Sequence, residues 1–259
     1  MSEKRAVFSF TPRPEPGAGT ADGRRRYFVE QGDRIAKTVR LCIEICPDPE
    51  ALVLDVGRSH LSSCLLGYYR TVTTLGRPLD IAKEYAHTTG WEPPAGKDYA
   101  GHIDCDLNRI PAQASAEDLP RFDLIVFAEV VEHLFSAPYA ALAWLQYLLG
   151  DGGVILCTTP NAASLFRRLK LLLGYNPSEA LRYDLNNPGH IHEYTRKELY
   201  ELGRLAGLEV VMHRYVDYRK FSGSGVRRAV GWLASRIVPS FSPDQIVLYR
   251  TPAAGTPKL

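Results

Sequence analysis

The chain has 259 residues, of which 45% are hydrophobic and 23% charged, and it carries a net charge of +2 at pH 7. That length suffices for one α/β domain with a full core, and the balance excludes a disordered or fibrous chain. The small net charge argues against general nucleic-acid affinity, and no apolar run approaches the roughly 18 residues of a membrane span.

Residues 1–24, with PRPEPGAGTADG at their heart, read as a flexible arm. The opening MSEKRAVFSF holds too short an apolar stretch for a secretory signal, so a cytoplasmic location is expected. One domain is expected over 25–252, followed by a Pro/Gly tail at 253–259. Apolar residues recur at helical spacing through 25–45 (Tyr27, Phe28, Ile35, Val39, Leu41, Ile43), which predicts a helix ended by CPDPE. A short strand at 51–56 ends in Asp55 and is followed by Gly57. A helix is expected at 61–69, a second strand at 71–75, a helix around 80–87 and a weak strand at 101–106. After a polar connection at 111–120 comes the stretch FDLIVFAEVVEHL, residues 122–134. A helix follows at 138–149, with Leu142, Leu145 and Leu149 on one face, then the turn LGDGG and a strand at 154–158. Helices are predicted at 162–173 and from Thr195 to 205, where Glu198 completes a capping box. A strand to Val216, a helix at 226–238 and a last strand at 244–249 close the chain. The alternation predicts a doubly wound, mostly parallel sheet with helices on both faces and an antiparallel final pair. Residues 160–192 and 217–242 read as helical insertions covering the site. The five cysteines are scattered without a CxxC pair and read as free thiols, not as a disulfide framework or zinc site.

The stretch 122–134 carries the chemistry. Leu124 to Phe127 are a continuous apolar run, as in a parallel strand buried on both faces. A polar cluster of Glu129, Glu132 and His133 follows. If a helical turn starts there, the i, i+3, i+4 spacing puts all three on one face, at the carboxyl end of a buried strand where open α/β sheets hold their chemistry. Such a cluster could hold a divalent cation through oxygen and nitrogen. The alternative is a helix start, where the macrodipole favours glutamate.

This order of elements resembles a class I S-adenosylmethionine-dependent methyltransferase over about residues 30–250. ALVLDVG is similar to that family's first strand and glycine turn, and FDLIVFAEVVEHL to its fourth strand. LLGDGGVILCTTPN is similar to its fifth-strand region, and HIHEYTRKELYELGRLAGLEVV to its late helix–strand unit. The resemblance implies a seven-stranded, Rossmann-like methyltransferase fold and an S-adenosylmethionine site at Asp55, Gly57, Ser59, Gly76, Asp104, Asp106 and Ala128. Asp55 and Gly57 match the acid and first glycine of the turn. Ser59 and Leu61 stand where the second and third glycines are usual. Gly76 stands where the second strand normally ends in an acid that holds the ribose hydroxyls, with Asp80 the nearest acid. Asp104 or Asp106 could lie near the adenine. Asp55 could instead be a structural acid satisfying loop amides, and Ser59 and His60 could contact the cofactor or simply form loop.

The acidic corner resembles that of metal-dependent 2′-O-methyltransferases of small-RNA 3′ ends, and ubiquinone-type O-methyltransferases share an E-x-x-E-H corner. This resemblance implies that Glu129, Glu132, His133 and His190 bind Mg2+ or another divalent cation, which holds the acceptor hydroxyls. His192 falls where an aromatic residue is common. His133 or His192 could accept the proton. The expected acceptor is a small molecule, a glycan or a lipid-linked molecule bearing a hydroxyl. Tyr183, Tyr194 and Tyr215 could line its pocket, and SLFRRLKLLLGY and VRRAVGWLASRIV could cover it or touch lipid, or simply pack on the sheet. The altered turn leaves a second reading, a methyltransferase-like binding or regulatory protein without catalysis. The oligomeric state is not set by these features.

Overall fold

The computed structural model describes residues 21–57, 59–77, 99–109, 118–181, 189–218 and 225–253. The arm through residue 20, the helix expected at 80–87 with Asp80, Tyr183 and most of the tail lie outside them. Seven strands form: β1 (Leu52–Val56), β2 (Thr71–Gly76), β3 (Gly101–Asp104), β4 (Phe122–Ala128), β5 (Leu149–Pro160), β6 (Glu209–Val216) and β7 (Asp244–Arg250). Their order is β3-β2-β1-β4-β5-β7-β6. β1 runs parallel to β2 and β4, and β2 parallel to β3, while β7 is antiparallel to both β5 and β6. This is the doubly wound sheet the alternation predicts, with the strand order reversing beside β1. The described α-helices are α1 (Ala21–Ile45), α2 (His60–Leu65), α3 (Pro138–Tyr147), α4 (Leu165–Leu172), α5 (Arg196–Leu205) and α6 (Gly225–Ile237).

Cα packing groups residues 1–126 with 147–153 in one compact unit, and 127–146 with 154–259 in a second. In the first, α1 buries Ile35, Thr38, Leu41 and Cys42, one face at helical spacing, and packs on α2. β1 buries Val53, Leu54, Asp55 and Val56, so both faces of the strand are covered. α2 stops at Leu65, short of the expected 69, where the bonds tighten to three residues: the Gly67 N–H donates to the Cys64 carbonyl and the Tyr68 N–H to the Leu65 carbonyl. Tyr69 then anchors the chain by donating its hydroxyl to the Cys46 carbonyl at 2.8 Å. The LGDGG segment, expected as a turn, opens β5 with Gly152 at a φ of 74°, and a Cβ on Gly153 would stand 2.6 Å from the Phe122 carbonyl oxygen. Only a glycine permits that approach.

In the second unit α5 begins as predicted. The Thr195 hydroxyl accepts from the Glu198 N–H, and the Glu198 carboxylate accepts from the Thr195 N–H at 2.7 Å. α5 lies on β7 through Gly203, where a Cβ would stand 2.7 Å from the Tyr249 ring. Tyr249 is fully buried and donates its hydroxyl to the Leu199 carbonyl at 2.9 Å. All five cysteines are free, with Cys42, Cys105 and Cys157 buried.

Candidate active site

In the first unit, β1 turns at Gly57. Its φ of 92° is a left-handed value that a side chain opposes, and its N–H donates to the Leu75 carbonyl at 2.8 Å. Ser59 is extended at φ −151°, a conformation open to any residue, and its hydroxyl accepts from the Leu61 N–H at 3.2 Å as the N-cap of α2. The Ser62 hydroxyl accepts from the Ser59 N–H at 3.0 Å and donates to the Asp55 carboxylate. Asp55 is thereby bonded into the turn, and His60 is buried beside it in sequence. Burial pushes the Asp55 carboxyl up to about 7, against the Ser62 hydrogen bond and the Arg34 charge.

Gly76 ends β2 opposite Asp104 of β3, and a Cβ there would meet only the His102 ring at 3.7 Å. Packing therefore does not demand glycine at this position. His102 is buried between the Thr74 hydroxyl at 2.8 Å and the Asp104 carboxylate at 3.4 Å. Asp106 lies 3.7 Å from Arg77 and 3.8 Å from Arg109, and its carboxylate also accepts from the Asn108 N–H.

In the second unit Ala128 closes β4, and Glu129 follows with a φ of 55°. That left-handed residue breaks the helical face expected for Glu129, Glu132 and His133, since an L side chain cannot continue a right-handed turn from it. A single 3-10 turn forms at Val131–His133 instead. Glu129 is clamped to β5: its N–H donates to the Thr158 carbonyl at 2.8 Å, and the Thr158 hydroxyl donates to its carboxylate at 3.0 Å. Glu132 is fully buried and accepts from the Thr159 hydroxyl at 3.0 Å. Its backbone carbonyl accepts from the N–H groups of Ile191 at 2.7 Å and His192 at 3.3 Å, which draws the histidine-bearing segment onto the turn.

The two histidines are oriented in the same way. His133 Nδ1 lies 2.9 Å from the Gly189 carbonyl oxygen, and His190 Nδ1 lies 2.7 Å from the Glu193 carboxylate. Both partners accept, so each Nδ1 carries a hydrogen and Nε2 is the nitrogen left to ligate in the neutral imidazole. A carbonyl or carboxylate that holds an imidazole in this way is the usual outer shell of a metal site. One donor atom from each of Glu132, His133 and His190 lies within 4.8 Å of the others. An oxygen and two ring nitrogens suit a divalent cation, so the residues fit the group that the sequence implied. Burial holds His133 below its ordinary pKa despite the Gly189 hydrogen bond, which favours the neutral ligating form. Burial works against a charged Glu193, but the His190 hydrogen bond and the Arg167 guanidinium outweigh it and hold the carboxyl below its ordinary value.

Three of the four expected metal ligands therefore converge, while the carboxylate of Glu129 is held on Thr158. His192 is half exposed, with Nε2 3.0 Å from the Glu198 carboxylate and its ring edge-on to Tyr194. Sequence reading missed Thr158, Thr159, Glu193 and Arg167. Glu193 was detectable, since it stands three residues after His190 in GHIHE, a spacing that brings a carboxylate back to an imidazole in a tight turn. The threonines gave no signal, because any hydroxyl in a buried strand reads the same.

The family model of the methyltransferase domain matches residues 30–213. The chain belongs to that family, and its class is the class I S-adenosylmethionine-dependent methyltransferases. It is 27% identical over 152 residues to the ubiquinone biosynthesis O-methyltransferase of Cereibacter sphaeroides, an overlap of 57% of this chain and 54% of that protein. The chain thus spans about half the length of the curated relative it matches. Among solved structures, a chain of the Haloferax volcanii complex containing the Trm112 methyltransferase activator shares the fold. Its TM-score is 0.58 at 16% identity, over 93% of this chain and 99% of that one. The small RNA methyltransferase HEN1 shares it too, with a TM-score of 0.53 at 17% identity, over 86% of this chain and 25% of that one.

Proposed function

We propose that the chain transfers the methyl group of S-adenosylmethionine to a hydroxyl oxygen of a small-molecule, glycan or lipid-linked acceptor, assisted by a divalent cation such as Mg2+. The observation that carries this reading is the convergence of Glu132, His133 and His190 with both Nδ1 atoms already hydrogen-bonded. Glu132, His133 and His190 would hold the cation, with Glu129 a fourth candidate. When bound, such a cation lowers the pKa of a hydroxyl and fixes its orientation. In the transfer the O–CH3 bond forms as the S–CH3 bond breaks, the sulfonium becomes a neutral thioether, and the hydroxyl proton leaves to a base. We assign that base to His192, which the Glu198 carboxylate orients. His133 would have both nitrogens committed, one to Gly189 and one to the cation. In the first unit, Gly57 lets the amino-acid end of the cofactor approach bare backbone, and Asp104 meets the polar edge of its nucleoside. The name of the relative from Cereibacter sphaeroides, an O-methyltransferase, favours oxygen as the acceptor atom.

The test is calorimetric titration with S-adenosylmethionine, with and without MgCl2 or MnCl2, on wild type, Glu132→Gln and His190→Ala. Cofactor binding in all three proteins, with the metal response lost in both variants, is expected. No cofactor binding under any condition overturns the transferase reading. Unchanged metal affinity in both variants overturns the metal assignment alone. Methylation confined to RNA oligonucleotides would replace the acceptor class.

A further inference from the structure

Helices α4 and α6 pack against one another in the second unit, and both carry exposed apolar side chains. In α6, Val226, Val230, Leu233 and Ile237 recur at i, i+4, i+7 and i+11 and so form one stripe. A stripe of that kind normally meets a core. Here its members are 75%, 51%, 57% and 74% exposed. α4 has no buried residue, and its last turn and the residue after it present Leu171, Leu172 and Leu173 to solvent. The charges on these helices have one sign. LFRRLKLL and GVRRAVGWLASRI contain no acid, and Lys170, Arg227 and Arg236 are exposed beside the leucines and the stripe. On a helical wheel Arg227 and Arg236 fall on opposite sides of the α6 stripe, about a quarter-turn away from it. Arg236 lies over the exposed Trp232 ring at 4.6 Å, and Arg227 over Phe166 of α4 at 4.3 Å.

We propose that this α4–α6 face docks on an anionic phospholipid surface, with the aliphatic stripe at the level of the acyl chains and the flanking cations among the headgroups. An apolar stripe edged by arginine is the pattern of a helix lying in the interface plane. No described helix is long and apolar enough to cross a bilayer, so the contact is peripheral. The charge distribution decides among occupants. A second copy meeting this face across a two-fold axis would set arginine against arginine. Single-stranded nucleic acid would ask for aromatic rings on which bases stack, whereas the α6 stripe is aliphatic. Anionic lipid alone among these satisfies the apolar stripe and the cations together. The proposal stands independently of the metal and acceptor assignments above.

The experiment is co-sedimentation of the full chain with vesicles of phosphatidylglycerol and of phosphatidylcholine, at low and high salt. Binding to phosphatidylglycerol, weakened by salt and much weaker on phosphatidylcholine, is expected. A Val230→Asp/Leu233→Asp double variant should lower the partition coefficient at least tenfold, and Arg227→Glu/Arg236→Glu should abolish the preference for the anionic lipid. Val230 and Leu233 are exposed, so thermal melting of that variant should match wild type. No sedimentation with phosphatidylglycerol overturns the proposal. So does equal sedimentation of the Val230→Asp/Leu233→Asp variant. Concentration-dependent dimerisation without vesicle binding, or RNA binding without vesicle binding, replaces the lipid with that partner.

Discussion

Glu129 holds a φ of 55°, which costs an ordinary residue on the order of 1 kcal/mol and persists only where surroundings impose it. Here the surroundings are the Thr158 carbonyl and hydroxyl. Comparing Glu129→Gly with Glu129→Ala isolates the backbone, since both lack the carboxylate. The glycine variant should be more stable than the alanine variant by about 1 kcal/mol in urea unfolding. Asp55 poses a different problem, a buried carboxyl pushed up to about 7 in the fold. As pH rises from about 4 the unfolded chain gives up this proton while the folded chain keeps it. Stability therefore falls across the window from about 4 to 7, and the penalty is complete above it. Asp55→Asn keeps an acceptor for the Ser62 hydroxyl and cannot ionise. Its stability relative to wild type should be higher at pH 8 than at pH 5; a constant difference would mean that Asp55 is ionised in the fold.

At the scale of elements, α5 combines a strong start with a close contact. Its capping box was visible in TRKE, but the reason for Gly203 was not. A methyl group there would stand 2.7 Å from the Tyr249 ring, itself buried and bonded to Leu199. Gly203→Ala should cost roughly 1–3 kcal/mol even though alanine is the better helix former. A stability gain in chemical denaturation would show that Tyr249 moves freely. The 3-10 turn at Val131–His133 shows the same relation between local signal and neighbours. Its residues predicted a helical turn, and the tertiary clamp on Glu129 shortened it.

At the scale of the molecule, the strand order β3-β2-β1-β4-β5-β7-β6 buries strands whose residues include Cys105 and Cys157 beside or within them. Burial pushes the thiols of Cys42 and Cys105 well above their ordinary range, and does the same for Cys157, where Glu132 and Glu129 add to it. Thiolates are the reactive form, so Ellman's reagent should modify at most Cys46 and Cys64 in the native protein and all five cysteines after denaturation. Fast reaction of a third thiol would mean that the core opens readily.

The amino-acid pattern alone determined the alternation of strands and helices, the doubly wound sheet and the Thr195 cap. These follow from periodicity and from contacts between residues close in the chain, so they are written locally. Tertiary structure decided the rest. Thr158 and Thr159 reach the corner from β5, and Gly189 meets His133 from 56 residues away. Which nitrogen of His133 is left to ligate depends on that distant acceptor, and no spacing rule encodes it. The stripe on α6 makes the same point: periodicity shows that an apolar face exists, but only packing determines whether that face meets a core or the water.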